Sequence, residues 1–269
     1  MESSISQKSV QVFSDPFTAV DIQPVQVAGE NIATKLAVRV KADDGTWSRT
    51  PTVVSSGYNL IQNTLVKDVG DDIMSRSGHQ WAALKQHWDG KRFISMWITN
   101  NPIAQVDGAQ THSARSHPIH LGLMLRNAYD GSGVFGVEIF ACNVACTNQY
   151  HDRNRFGYFA VRHIGQNTFD IDDALANLST GAQNVIGIAP RLNQLRSTPL
   201  EVKHIMDARK NTQIPSSKWA DVLDQLSKEE DGGVLYGLYQ ALTFVATHEV
   251  GGLNSISVGE SVSKHLLAA

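Results

Sequence analysis

Apolar and polar residues alternate with a period of two up to about residue 165, and a helical period takes over from there. Thr34–Lys41 (TKLAVRVK) alternates cleanly, and Trp47–Val54 follows after Asp43-Asp44-Gly45, which predicts a hairpin with an Asp-Gly turn. Leu60, Ile61, Leu65, Val69 and Ile73 fall near helical spacing, so a helix is expected over Leu60–Ser75, ended by Gly78. His79–His87 and Arg92–Thr99 flank Trp88-Asp89-Gly90-Lys91 and predict a second hairpin. Its second strand is apolar on both faces, as a central strand would be. Asn100–Pro118 then reads as a long polar loop. His120–Arg126 and Val134–Val144 flank a Gly/Asp/Ser cluster. A third run, Gly157–Ile164, follows a polar loop that holds Arg153 and Arg155, which gives a meander of three strands.

From Phe169 onward, helices are expected at Ile171–Ile188, Leu200–Lys210, Ser216–Lys228, Val234–Val250 and Ser255–Leu267. Asp170, Asp172 and Asp173 suit the first turn of the first of these, and Ser216-Ser217 is placed to cap the third. The fold class is therefore α+β: a largely antiparallel sheet of hairpins and a meander, one early helix, then a helical C-terminal part. The organisation expected is an N-terminal arm over 1–33, a β-rich core domain over 34–168, and a helical region over 169–269 packed on or following that core.

Composition narrows the class. A 269-residue chain with 42% hydrophobic and 18% charged residues is that of a soluble globular protein. No apolar run approaches the ~20 residues of a membrane helix, so no membrane partner is expected. The opening MESSISQKSV lacks the basic and apolar regions of a secretory signal, and the two cysteines suit a reducing cytoplasm. Charge is uneven along the chain. Arg76–Gly165 carries nine Lys/Arg against five Asp/Glu, while both flanks are acidic. A locally basic centre in an acidic chain suggests a face for a polyanion; ordinary fluctuation is the plain alternative.

Within that centre, Arg126 leaves an apolar strand just before Asp130-Gly131. Its guanidinium could grip a phosphate with two parallel donors, or pair with Asp130 across the turn. Arg153, Arg155, Arg162 and His163 alternate with Phe156 and Tyr158. Cations that follow a backbone and rings that stack on bases are the chemistry of a single-strand site; a solvated edge strand is the alternative. By strand parity, Phe156, Tyr158, Ala160 and Arg162 share one face, and Phe159 and Val161 turn to the core. Lys85, Lys91 and Arg92 in the preceding hairpin extend the set, with Trp88 as a further ring.

Other chemistries find less support. Cys142, Cys146, His151 and His163 lack the paired spacing of a zinc site, and the cysteines read as buried apolar residues. His112, His117 and His120 have no ligating spacing. Phosphate-binding loops, dinucleotide fingerprints, zincin helices and nucleophile elbows are all missing, so no cofactor, metal or catalytic residue is assigned. The turn carboxylates Asp43, Asp44, Asp71 and Asp72 leave a metal-dependent hydrolase or nuclease as an outside alternative.

Four segments carry a family resemblance: PTVVSSGYNLIQN from Pro51 to Asn63, LRNAYDG from Leu125 to Gly131, CNVACTN from Cys142 to Asn148, and Val161–Gly165 (VRHIG). In order and spacing they resemble the phage- and plasmid-borne proteins grouped as domain of unknown function nine-three-two. Here Ala128-Tyr129 stands where that family has Ser-His, and Ile164 where it has Thr. The resemblance covers roughly Pro51–Leu178. It implies a protein of a bacteriophage or mobile element, working in the cytoplasm of a bacterial host. A sheet with a helix, a basic middle and no nucleotide loop is also similar to single-strand annealing proteins of the RecT, Red-beta and Erf kind, a fold-level analogy. The expected function is ATP-independent binding and annealing of single-stranded DNA, or RNA, by a homo-oligomer that is not an enzyme. A host single-strand-binding protein or a phage exonuclease would be its further partner. The rival expectation is a phage interaction protein that inhibits a host factor.

Overall fold

The computed structural model describes residues 11–107, 116–143, 148–165, 170–250 and 254–267. Two antiparallel sheets carry the first part of the chain. The smaller has the order β1-β2-β3, formed by β1 (Val20–Val27), β2 (Glu30–Val40) and β3 (Thr52–Ser55). Ala28 at φ 52° and Gly29 at φ 87° close the β1–β2 turn with the two left-handed residues that a tight hairpin needs. So the expected arm holds a strand and the start of another. Pro24 hid it, since proline marks an edge strand, and the register shifts between Pro24 and Gln26. Val38, Val40, Val54 and Tyr129 form the small cluster between this sheet and the larger one.

α1 (Asn63–Arg76) follows, with Val66, Val69, Gly70 and Ile73 as its buried stripe. Leu65, expected on that stripe, is half exposed. The larger sheet comes next: β4 (Trp81–Trp88), β5 (Arg92–Thr99), β6 (Ala104–Val106), β7 (His117–Ala128), β8 (Phe135–Asn143), β9 (Asn148–His151) and β10 (Tyr158–Val161). The order is β10-β8-β7-β5-β4, with β6 also on β7 and β9 also on β8. β5 is the central strand its two apolar faces predict. The expected long loop is shorter than read, because β6 and the start of β7 fall inside it; residues 108–115 of that loop, His112 among them, lie outside the described residues.

The expected third meander strand is β10, and a further strand, β9, lies in the segment read as the loop before it. β9 pairs with Phe140–Asn143 and β10 with Phe135–Glu138 of the same β8 edge, and a one-turn helix, α2 (Arg153–Phe156), bulges out between them. The Asp152 side chain caps α2 by accepting from the Arg155 amide. Phe156 therefore belongs to a helical turn, and the strand parity that grouped it with Tyr158 does not hold.

The remaining helices are α3 (Ile171–Ile186), α4 (Ala189–Ser197), α5 (Val202–Asn211), α6 (Trp219–Lys228), α7 (Leu235–Phe244) and α8 (Asn254–Leu266), and a single π turn extends α7 over Val245–Glu249. Asp170 caps α3 through the amides of Asp172 and Asp173. α3 ends close to the expected Ile188, while α4 falls between two expected helices and was not foreseen; Pro190 sits in its first turn. Ser216-Ser217 open a 3-10 turn and cap nothing with their side chains.

On one face of the larger sheet, Ile119, Leu121, Leu123 and Leu125 of β7 and Val137, Ile139 and Ala141 of β8 join α1, α3 and the later helices in one apolar core. The helical region shares this core with the sheet and has none of its own. A buried ion pair, Arg196–Asp231 at 3.1 Å, ties α4 to the turn before α7. The opposite face holds a smaller cluster of Ile94, Met96, Met124, Phe140 and Cys142, and Ile256 of α8 caps it at the β9 end. The rest of that face carries the polar chemistry.

Candidate nucleic-acid interface

Strand registers align two rows across this second face. The first runs His87, Ile94, Arg126, Gly136, Ala160; the second runs Lys85, Met96, Met124, Glu138, Tyr158. Arg92 stands on the same face beside the first row, opposite Ala128. Lys85, His87 and Ala160 are exposed, while Arg126 and Tyr158 are half-buried.

Arg126 and Tyr158 form the centre. The guanidinium carbon lies 5.0 Å from the Tyr158 ring centroid, and Nη2 donates to the Tyr158 hydroxyl. Among the described residues no carboxylate reaches Arg126 within ion-pairing distance, and its Nε is buried without a hydrogen-bond partner. Gly136 makes room for this pose. A Cβ there would stand 2.9 Å from Arg126 Nε and 3.1 Å from the Tyr158 ring.

Arg153 reaches the same ring from α2, at 5.1 Å. Its Nε donates to Glu138 Oε2 at 2.7 Å, and Glu260 of α8 stands 3.8 Å away. Glu138 is fully buried and also meets His151 Nδ1 at 3.0 Å. Burial pushes its carboxyl up, but the hydrogen bonds and charges of His151 and Arg153 outweigh that and hold it below the usual carboxylate range. Arg153 is thus anchored from beneath, whereas Arg126 meets no carboxylate among the described residues.

The other expected residues divide. Arg92 pairs with Asp130 at 2.9 Å, so the carboxylate considered for Arg126 is held by a different arginine. Burial raises the Asp130 carboxyl, and the Ser132 hydrogen bonds and Arg92 bring it below its ordinary value. Lys91 is exposed in the β4–β5 turn and Arg162 is exposed just past β10. Arg155 points away from the rows: it lies 3.8 Å from Asp152 and donates to the Leu267 carbonyl at 2.9 Å. Phe156 is fully buried in the main core and offers no face to a base. Trp88 meets Tyr129 edge-on at 5.8 Å and serves the cluster between the sheets.

His163 is also structural. It is buried, stacks on Tyr58 at 5.0 Å, and hydrogen-bonds through Nδ1 with the Asn59 carbonyl at 3.1 Å. Burial pulls its imidazole below the ordinary value. Three of the four segments behind the family resemblance meet around it: 51–63, 125–131 and 161–165. Tyr58 donates to the Ala128 carbonyl at 3.1 Å, Asn63 donates its amide to the Tyr129 hydroxyl at 2.8 Å, and Asn127 donates to Asn63 Oδ1 at 2.8 Å. These contacts lock the β3–α1 connection to the β7–β8 turn.

Sequence reasoning missed His87, Gly136 and Glu138. His87 alternates with Lys85 on one strand and was legible on that ground. Gly136 and Glu138 gain their meaning only from the register with β7 and β10. Cys142 is buried with Phe140 and Met124, and Cys146 lies outside the described residues. No three His, Cys, Asp or Glu side chains among the described residues converge as metal ligands.

The class these observations define is an α+β protein whose antiparallel sheet buries one face under helices and leaves cations around a tyrosine on the other. Residues 52–251 match the family model described as Domain of unknown function (DUF932), and the chain belongs to that family. The match runs past the Pro51–Leu178 span of the resemblance and takes in the helices through α7. No curated protein and no solved structure matches the chain.

Proposed function

We propose that the chain binds single-stranded nucleic acid, DNA in the first instance, across the second face of its larger sheet, and that it promotes annealing there without a nucleotide cofactor. The observation that carries this reading is the Arg126–Tyr158 pair. A cation that meets no carboxylate among the described residues and lies 5.0 Å from the centroid of a half-buried ring suits a strand that offers phosphates and base faces together. Lys85 at the exposed end of the rows adds positive charge, and Arg92 adds a partly neutralised charge. Phosphates would lie along the cations, and Tyr158 would take a base once the strand displaces the Arg126 hydrogen bond.

The reading leaves pairing to the bases themselves. A protein that holds a strand by its backbone raises the local strand concentration and leaves Watson–Crick edges free. Mobility shifts with a labelled oligonucleotide, run with and without its complement, test it. Retention of the single strand at low salt, and faster duplex formation with protein present, are the expected results. A strand that migrates freely at every protein concentration would remove the proposal.

The rival reading, a partner-binding protein without nucleic acid, has one feature in its favour. Val202 and Met206 are exposed on successive turns of α5, at 76% and 59%. Two side chains fall short of the several-hundred-Å² patch that marks a protein interface.

A further inference from the structure

A second polar site lies beside the sheet face, around the corner formed by α2. Here the fold leaves a cleft of about 990 Å³. Its walls come from four separate elements: α2, α3, the turn after α5, and one side of α8. That volume is at the upper end of the range for small-ligand sites, but such sites are mostly apolar and this one is not.

The lining is amide, hydroxyl and cation. Asn211 and Gln213 stand on one wall, Ser257 and Lys264 on the α8 wall, and Asn154 and Arg155 on the floor. Two carboxylates are present, and both are engaged: Asp152 by Arg155 and its amide, Glu260 by Arg153. Lys264 is exposed and has no carboxylate within ion-pairing distance among the described residues. The cleft therefore presents a free ammonium beside groups that donate and accept hydrogen bonds. A phosphate beside a base edge fits that combination: the cation meets the anion, and Asn or Gln amides pair with donor–acceptor edges.

Continuity with the sheet face comes through α2. Arg153 lies over the Tyr158 ring, while Asn154 and Arg155, the next two residues, line the cleft. A strand leaving the β10 edge would round this one turn and enter the cleft. Building on the single-strand reading, we infer that the cleft between α2 and α8 is a second nucleotide-binding subsite, which takes a phosphate and base of the same or the complementary strand.

The test uses the full chain with photoreactive p-benzoylphenylalanine at position Gln213, in the cleft, or at position Ala160, on the sheet face, and a labelled oligothymidine as probe. Both positions are exposed, so folding is preserved. Capture of the probe from Gln213 is expected. Lys264→Glu should cut that capture by at least about tenfold, the scale of one lost charge-assisted contact, and leave capture from Ala160 within about twofold. Unlabelled oligothymidine should compete from both positions, and excess thymidine monophosphate from Gln213 alone. Capture from Ala160 without capture from Gln213, or Gln213 capture indifferent to Lys264→Glu, overturns the subsite and leaves the sheet face standing. Capture from Gln213 alone keeps the subsite and removes the sheet-face reading. Capture from neither removes both.

Discussion

Arg126 leaves β7 between Ile94 and Gly136, and its neighbours account for both its pose and its availability. Glycine at 136 is what lets the guanidinium come this close to the Tyr158 ring. Gly136→Ala should push the two apart and weaken strand binding severalfold with little change in the melting temperature, as read by fluorescence anisotropy beside a thermal melt. Tyr158→Ala should cost about 1–3 kcal/mol of binding, the range for one lost base stack, while Tyr158→Phe should retain most of it. His163 supplies a pH signature. Its ordinary value is 6.5, and burial holds the folded value lower. The stability it contributes is fully present above 6.5 and is lost as the pH falls through the folded value. His163→Gln should flatten the decline of urea stability across that window. Arg126, Tyr158 and Lys85 were legible as candidates because residue type and strand alternation are local. The partners of Arg126 and the burial of Phe156 were not, because they depend on which strand lies alongside.

Turn chemistry made the hairpins readable. Asp-Gly and Gly/Ser clusters fall where β4–β5 and β7–β8 reverse, and Gly90 and Gly131 take the positive φ that those turns need. β9 was missed for a different reason. Asn148 and Gln149 look like loop residues, yet both are buried: the Asn148 side-chain nitrogen donates to Gln240 of α7, and the Gln149 backbone N–H donates to Thr247 of the π turn. Only the tertiary fold supplies those partners. The α2 bulge is held by close packing: a Cβ at Gly181 of α3 would stand 2.2 Å from the Phe156 carbonyl oxygen. That oxygen is backbone and cannot swing aside. Gly181→Ala should therefore destabilise the protein by about 1–3 kcal/mol or more in urea unfolding. It should also loosen Arg153 from Tyr158.

At the scale of the molecule, the α+β class was read correctly from the change of period near residue 165. The chain packs with β1 in a sheet and α7 in the core beneath the larger sheet. Removing everything after Asp231 should abolish cooperative unfolding, seen as loss of a sigmoidal melt, because Tyr236, Leu238, Tyr239 and Leu242 fill that core. The sheet-face reading makes a different demand on the whole chain, whose formal charge is −3. Binding a polyanion must then depend on a local track. The most direct measurement is the affinity for a labelled single strand as a function of salt, for the native chain and for Arg126→Ala. The account predicts a steep inverse dependence that loses roughly 0.7 of log–log slope when Arg126 is removed. An affinity indifferent to salt, or a slope that Arg126→Ala leaves unchanged, would contradict it.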